Sequence, residues 1–347
     1  MPGRSHGFRD ERPNDYEAVL YVSFGGPEGP DDVMPFLENV TRGRGVPHER
    51  LLEAAQHYHH LGGVSPINAE NRKVIAALEE DLTKRGPALP VYWGNRNWHP
   101  LLTDTVTQMR RDGIRRAIAF VTSAWSSYSG CRQYQEDIAR AQSAAGPGAP
   151  IVDKIRQFFN HPGFIEAQTD RVNATLATIS EPARSGAHLL FTAHSIPQRM
   201  ADASSYVEQL EAASGLVADR VDPTYEWSLA YQSRSGPAHV PWLEPNVSEH
   251  LEKLASEGLT DVVVVPIGFV SDHMEVRFDL DVEAAGVARR RGLNMRRAET
   301  VGTHPVYIAM IRDLIVERIE GLNERPALGR MGASHDICAD DCCSFVK

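Results

Sequence analysis

This 347-residue sequence lacks several features, and each absence excludes a class of function. No apolar run approaches the length of about 20 residues that a membrane span needs. With 36 basic and 46 acidic residues, the formal net charge is -10, so there is no surplus of positive charge for binding nucleic acid. No Gly-x-Gly-x-x-Gly follows a predicted strand and no Gly-Lys-Ser/Thr occurs, which disfavours nucleotide binding. We therefore expect a small-molecule ligand.

The first residues, 1–15, are polar and contain no apolar core of the kind that a secretory signal needs. We expect a loose tail in this segment. Together with the absence of a predicted membrane span, this composition favours a cytoplasmic protein.

Cysteine is scarce and unevenly placed. Cys338, Cys342 and Cys343 all lie within the last ten residues, and Cys131 stands alone. Adjacent Cys342 and Cys343 are poorly placed to bridge each other, and the cytoplasm keeps thiols reduced, so we do not expect a disulfide framework. The pattern favours a metal ion or a metal cluster.

The length and the hydrophobic pattern predict an α/β fold with two domains. Hydrophobic residues make up 42% and charged residues 24% of the chain, which is typical of a globular protein. Short apolar runs, each followed after a gap by a helical pattern, predict alternating βα units and doubly wound parallel sheets. The predicted strands are 18–24, 117–122, 189–193 and 262–269, and the predicted helices are 71–84, 102–112, 133–144, 162–179, 247–258 and 306–322.

Two predicted strands fall in each half, so the halves are candidate structural duplicates. We predict an N-terminal domain at 16–165 and a C-terminal domain at 166–325. A cysteine-bearing extension follows at 326–347. The segment 35–62, rich in Gly, Arg and His, is predicted to form a lip over a cleft.

Ligands of open parallel sheets bind beyond the carboxyl ends of the strands, and His194 directly follows the run 189–193. A neutral imidazole can bind a metal ion, and with an ordinary pKa of about 6.5 it can accept protons near neutrality. The alternative is a histidine held by hydrogen bonds at a strand edge.

Three carboxylates, Glu275, Asp279 and Glu283, recur every four residues after the last predicted strand. On a helix they share one face, where like charges repel unless a cation or proton offsets them. A route for metal ions or protons supplies that offset. A solvated acidic face, partly neutralised by Arg277, is the alternative. Together, His194 and Glu275 suit proton removal and metal delivery in a common cleft.

Gly25 and Gly26 follow the first predicted strand, and we expect them to let the backbone approach a large flat ligand. Aromatic residues supply apolar surface for such a ligand, although most aromatic residues belong to cores. The candidates are Phe24, Trp125, Tyr128, Tyr134 and Trp242.

From about residue 19 to residue 319, these motifs in their order resemble the ferrochelatase family. The matching segments are 24–28 (FGGPE), 61–67 (LGGVSPI), 192–197 (TAHSIP), 231–237 (YQSRSGP), 241–245 (PWLEP) and 266–275 (PIGFVSDHME). The resemblance implies two Rossmann-like domains that enclose a porphyrin cleft, and an enzyme, a lyase, that inserts Fe²⁺ into a porphyrin.

The resemblance also implies roles for individual residues. His194 matches the active-site histidine, and Glu275 matches the acidic residue opposite it. Asp279 and Glu283 match a row of acidic residues behind Glu275, called the acidic file below, which the family builds on a locally widened helix. Where related enzymes carry a tyrosine able to bind iron, this chain has Phe24, whose ring cannot ligate. The implied porphyrin-binding residues are Phe24, Arg50, Ser65, Tyr134 and Trp242.

The terminal cysteines resemble an extension by which some ferrochelatases hold a [2Fe-2S] cluster. Such a cluster needs four thiolates, and the implied set is Cys131, Cys338, Cys342 and Cys343. A Cys₄ zinc site and a reactive tail are the alternatives.

By the resemblance, coproporphyrin III is the favoured substrate, because a Gly- and Arg-rich lip without a membrane-binding apolar surface suits a soluble tetracarboxylate. The alternatives are protoporphyrin IX, a cobalt or nickel chelatase, and a tetrapyrrole carrier or sensor without turnover. A downstream enzyme of haem synthesis is the partner that the resemblance implies.

Overall fold

The computed structural model describes residues 15–43, 45–237, 239–339 and 341–344. Residues 1–14 lie outside this set, and with them nearly all of the predicted tail. The described residues contain eight strands, all paired in parallel. They are β1 Ala18–Ser23, β2 Val91–Asn95, β3 Arg116–Val121, β4 Ile151–Lys154, β5 His188–His194, β6 Trp227–Gln232, β7 Asp261–Val265 and β8 Asn294–Arg297.

The strands form two four-stranded sheets with the same order. The first sheet runs β2-β1-β3-β4 and the second β6-β5-β7-β8. In each sheet the chain leaves the first strand, adds an edge strand on one side and then crosses to the other side, so each sheet has one switch point. The predicted α/β class and the duplicated architecture are confirmed.

Helices cover both faces of the sheets. They are α1 Val33–Val40, α2 His48–His60, α3 Ile67–Arg85, α4 Leu102–Arg111, α5 Gln133–Ala145, α6 Pro162–Leu176, α7 Glu181–Arg184, α8 Gln198–Asp202, α9 Tyr206–Val221, α10 Val247–Ser256, α11 Ala285–Arg291 and α12 Pro305–Glu320. Two π-helices, Tyr128–Arg132 and Val276–Ala284, and a short 3-10 turn, Pro30–Asp32, complete the elements. All six predicted helices are present.

Local sequence explains several helix boundaries. Pro162 occupies the first turn of α6, and the preceding His161 side chain accepts a hydrogen bond from the Gly163 N–H. Asn246 caps α10 in the same manner. Gly321 ends α12 in the left-handed conformation that glycine adopts without strain.

The alternation of side chains along the strands separates the layers of the core. On β1, Val19 and Tyr21 face a large apolar cluster, which also contains Leu189 and Phe191 of β5. Helices α3, α6, α9 and α12 contribute to the same cluster, so the two sheets share one core between them. The opposite faces pack separately, the first sheet on α4 and α5 and the second on α10, α11 and the longer π-helix.

The predicted domain boundary at residue 165 falls inside α6, and the division into domains stays a prediction. Among the described residues, no helix has both the length and the apolar character to span a bilayer.

Candidate active site

His194 is the last residue of β5, at the switch point of the second sheet. Its Nδ1 lies 2.5 Å from the carbonyl oxygen of Ser195, so Nδ1 carries a proton and donates it to that oxygen. This bond fixes the ring, and Nε2 then points at Glu275, 3.5 Å from its Oε2. The two predicted residues therefore lie side by side.

Glu275 immediately precedes the π-helix Val276–Ala284, which is the widened helix that the family resemblance implied. The backbone N–H of Glu275 donates to Nδ1 of His273, 3.1 Å away, so His273 fixes the start of the helix. π-Helical segments are frequently found at functional sites. The connection between β7 and the π-helix thus places the carboxylate of Glu275 beside the end of β5.

The pair is partly exposed, with 33% of the His194 and 44% of the Glu275 side chain accessible. Burial alone lowers the pKa of His194, but the carboxylate of Glu275 outweighs it and raises this pKa to about 9. Burial acts to raise the pKa of Glu275, yet the imidazolium holds it down at about 2. The resting pair is an imidazolium and a carboxylate.

Asp279 lies one turn further along the π-helix and accepts hydrogen bonds from Ser233 and from Gln232, 3.4 Å away. Burial, followed by the charge of Glu275, raises the pKa of Asp279 to about 7. Ser233 has a positive φ of 62°, a strained conformation that aims its hydroxyl at this carboxylate. Glu283 is exposed beyond it, so the predicted acidic file runs from the cleft to the surface.

Phe24 follows β1, and its ring is 38% exposed. It contacts Phe36 of α1 at 6.3 Å between ring centres, and Phe36 contacts Tyr58 of α2 at 5.8 Å. Burial raises the pKa of the Tyr58 hydroxyl, and the charges of Glu275 and Asp279 raise it further, which places Tyr58 beside both carboxylates. The sequence pattern does not reveal Tyr58, because a tyrosine within a helix carries no motif of its own.

Helices α1 and α2 form the predicted lip, with a small apolar cluster of their own. His57 of α2 stacks on Phe278 of the π-helix, with ring centres 4.0 Å apart. His60 meets the same ring edge-on at 5.8 Å. The predicted lip therefore contacts the π-helix that follows Glu275.

Tyr134 is buried beneath Arg96, whose guanidinium lies 4.3 Å from its ring centre and 5.8 Å from that of Phe24. Arg96 lines a cavity of about 600 Å³ together with Arg42 and Arg140. Asp137 pairs with Arg96 and Arg140, whereas the described residues give Arg42 no ion-pair partner. None of these three arginines is among the site residues predicted from the sequence.

Ser65 and Gly26 pack against each other, since a Cβ on Gly26 would lie 2.7 Å from that of Ser65. A Cβ on Gly25 would likewise lie 2.8 Å from Asn95. Protein side chains occupy the space where a Cβ would point at both glycines, and the expectation that their backbone approaches a flat ligand stays a prediction.

The other predicted porphyrin-binding residues occupy different surroundings. Trp242 bridges to Pro197, two residues beyond Ser195, and its Nε1 is buried without a hydrogen-bond partner. Arg50 is 71% exposed, pairs with Glu53 on the outer face of α2 and does not line the cavity.

Four cysteines meet beside α5, and none forms a disulfide. Cys131, in the shorter π-helix, is hydrogen-bonded to Cys338, which lowers the pKa of Cys338 to about 4. Cys338 contacts Cys342, and the Sγ atoms of Cys342 and Cys343 are 3.9 Å apart. This donor set fits a [2Fe-2S] cluster and also fits a single tetrahedral ion.

The fold is similar to that of a solved chelatase, the sirohydrochlorin chelatase SirB from Bacillus subtilis subspecies spizizenii in complex with cobalt. The TM-score is 0.52, over 88% of this chain and 96% of that chain, and the sequences are 13% identical, so the likeness concerns the fold. Duplicated parallel sheets with an imidazole and a carboxylate at the end of β5 define the class, an α/β protein with a chelatase-like fold.

The ferrochelatase family model matches residues 16–319. The chain belongs to the ferrochelatase family. It is 55% identical over 333 residues to a ferrochelatase of Rhodopirellula baltica, with 95% of this chain and 94% of that protein covered. It is 52% identical over 356 residues to a coproporphyrin III ferrochelatase of Streptomyces griseus, with 96% and 94% covered.

Proposed function

We propose that this protein inserts Fe²⁺ into coproporphyrin III and forms coprohaem in haem biosynthesis. The observation that carries the proposal is the distance of 3.5 Å between Nε2 of His194 and Oε2 of Glu275, in a cleft beneath the lip. Relatives named coproporphyrin III ferrochelatase support this choice of porphyrin. The ring must lose two pyrrole protons and receive one metal ion.

We assign proton acceptance to His194, which takes the two pyrrole protons one after the other and releases each to solvent. Because Nδ1 donates to Ser195, the neutral imidazole presents the lone pair of Nε2 to the cleft. An imidazole with a raised pKa is a stronger base for a pyrrole proton than a carboxylate with a pKa of about 2. Glu275, which is anionic at neutral pH, is accordingly assigned to Fe²⁺.

The acidic file is proposed as the iron route. Glu283 is exposed and meets the ion first. Asp279, with a pKa of about 7, readily exchanges a proton for a metal ion at neutral pH. The ion then passes to Glu275, where its positive charge disfavours the imidazolium and returns His194 to its basic form.

The macrocycle is proposed to lie between this pair and Phe24. A flat porphyrin holds its nitrogen lone pairs in the ring plane, so a saddled shape exposes them at a strain of about 1–5 kcal/mol, drawn from contacts remote from the metal. The arginine-lined cavity beside Phe24 suits the four carboxylates of coproporphyrin. The proposed contacts are Phe24, Ser65, Tyr134 and Trp242, with Arg42, Arg96 and Arg140 added by the cavity; Arg50, which pairs with Glu53 outside the cavity, is not among them.

Activity with matched variants tests the function. Under anaerobic conditions, His194→Ala and Glu275→Gln are expected to slow Fe²⁺ insertion by about 10²–10⁴-fold, whereas Glu299→Gln, on an exposed carboxylate paired with Arg171, leaves the rate unchanged. A carrier or sensor would show changed porphyrin affinity without turnover. Full activity in both cleft variants would contradict the proposal.

Competition experiments decide the substrate and the metal. With coproporphyrin III and protoporphyrin IX in one anaerobic mixture, the tetracarboxylate is expected to be consumed first. A clear preference for protoporphyrin IX would reverse the choice of porphyrin. Competition among Fe²⁺, Co²⁺ and Ni²⁺ separates a ferrochelatase from a cobalt or nickel chelatase.

We further propose that Cys131, Cys338, Cys342 and Cys343 hold a [2Fe-2S] cluster outside the iron-insertion site. Bound there, the cluster supplies a one-electron redox couple and a structural link between the extension and α5. Cys131→Ser removes a buried ligand and is expected to abolish the visible absorption of the purified protein. Retained absorption would contradict this ligand set.

A further inference from the structure

His335, which is not one of the four proposed cluster ligands, lies among the cysteine side chains. Nε2 of His335 is 3.7 Å from Sγ of Cys342, and the same imidazole hydrogen-bonds to Cys338. The ligand atoms of His335, Cys338 and Cys342 all lie within 4.8 Å of one another. Across the residues that the structure describes, no other group of three His, Cys, Asp or Glu residues is this compact.

The spacing matches donors that share one metal ion. With metal–sulfur bonds of about 2.3 Å and metal–nitrogen bonds of about 2.0 Å, two donors on a tetrahedral ion lie roughly 3.5–3.8 Å apart. The separation of 3.7 Å between His335 and Cys342 falls in this range. Cys131 is hydrogen-bonded to Cys338 but lies outside this compact group of three, so its Sγ has to move towards the ion to become the fourth donor.

Contacts that need no metal hold this part of the extension in place. Asp336, next to His335, pairs with Arg325 at 2.5 Å and with Arg318 at 3.4 Å. The Asn160 side chain donates to the carbonyl oxygens of Leu328 and Gly332, at 3.0 and 2.8 Å. A site built before the metal arrives loses less entropy on binding.

We propose that the extension binds a single divalent cation, Zn²⁺ or Fe²⁺, through Cys131, Cys338, Cys342 and His335 when the site holds no cluster. The site therefore offers five donor residues, four cysteines and one histidine, and either occupant, a cluster or a single ion, uses four of them. Four thiolates serve the cluster, whereas three thiolates and an imidazole serve a single ion, with Cys343 left outside. Binding releases the thiol protons to solvent and changes no oxidation state.

Cobalt titration of the full-length protein tests this donor set. The protein is freed of iron with a chelator under anaerobic conditions and titrated with Co²⁺, whose thiolate charge-transfer bands arise only from cysteine ligation. Ions in the cleft do not contribute to these bands. We expect one equivalent to bind with the d–d spectrum of a tetrahedral site with three sulfurs and one nitrogen.

Two matched variants separate the rival donors. Cys343→Ser is expected to keep the spectrum and the affinity, whereas His335→Ala weakens binding by at least about tenfold. His335→Cys is expected to restore tight binding with a four-sulfur spectrum. His48→Ala, on an exposed histidine of α2, is the control and changes nothing. Loss of binding in Cys343→Ser with retention in His335→Ala would overturn the proposal, and so would no change in either variant.

A second measurement guards against variants that fail to fold. X-ray absorption at the zinc edge of the wild-type protein loaded with one equivalent of Zn²⁺ is expected to give three sulfur ligands and one nitrogen ligand. Four sulfurs would overturn the proposal. Iron insertion, assayed on the same samples, reports on His194 and Glu275, so failure of the function and failure of this site are distinguishable.

Discussion

At the scale of single residues, the charge of Glu275 sets the proton affinity of His194. We expect Glu275→Gln to lower the pKa of His194 from about 9 towards or below the ordinary value of about 6.5, because burial then acts without its counter-charge. NMR titration of the His194 ring measures this shift. Glu283→Gln, further out on the same helix, serves as the control, and an unchanged pKa in Glu275→Gln would contradict the pairing.

Asp279 has a raised pKa that costs stability near neutral pH. Its pKa is raised to about 7, so the folded state binds a proton that the unfolded state releases above pH 3.8. The penalty is absent at low pH, grows as the pH rises to 7 and is constant above that. Asp279→Asn, which can still accept the Ser233 hydrogen bond, is therefore expected to raise Tm by about 2–5 °C at pH 8 and by less at pH 5.

The measurement for Asp279→Asn is thermal unfolding at several pH values, combined with the rate of iron insertion. Glu299→Gln is again the matched control. A gain in Tm that is equal at pH 5 and pH 8 would show that the raised pKa is not its cause. We expect the stabilised variant to insert iron more slowly.

Some of the candidate site residues can be predicted from the sequence and others cannot, for a physical reason. His194 and Glu275 stand directly after strands or at regular spacing, so local pattern predicts their positions. Tyr58, Arg96 and His335 reach their sites only because α2, β2 and the extension pack where they do. No periodicity within a segment reports such packing.

At the scale of elements, the predicted strands are the central ones. β1, β3, β5 and β7 are covered on both faces and are almost wholly buried, so their sequences are continuous apolar runs. The edge strands β2, β4, β6 and β8 were missed. They are partly exposed and carry polar residues such as Asp153 and Arg296, which breaks the apolar pattern.

The contact between the lip and the π-helix yields a prediction for α2. Phe278→Ala removes the ring on which His57 stacks, so the backbone amides of α2 are expected to exchange with deuterium faster. Hydrogen-exchange mass spectrometry measures the effect, with peptides of α3 as the internal reference. Leu52→Ala, on an exposed side chain of α2, is the control variant. Unchanged exchange in α2 would mean that the stack does not hold the lip.

At the scale of the whole molecule, a buried ion pair ties the two halves of the chain together. Arg156, after β4, makes two hydrogen bonds to Glu317 of α12 at 2.6 and 2.8 Å, with only 1% and 7% of the side chains exposed. Arg156 also donates to the carbonyl oxygen of Pro326, where the extension begins. Glu317→Gln leaves a buried guanidinium without its counter-ion.

We therefore expect Glu317→Gln to reduce the free energy of unfolding by about 3–5 kcal/mol. Urea denaturation measures this loss. Glu299→Gln, at an exposed pair, is expected to change it by less than about 0.5 kcal/mol. A loss in Glu317→Gln no larger than in this control would contradict the importance of the buried pair.

The apolar cluster shared by the two sheets limits how the fold can open to admit a ligand of porphyrin size. Prising the sheets apart would expose that cluster to water, whereas α1 and α2 rest on a small cluster of their own. We therefore expect a ligand to enter and leave by displacement of α1 and α2 while the two sheets keep their positions. On this expectation, the rate of turnover follows the opening of α1 and α2, and the distance between His194 and Glu275 is preserved.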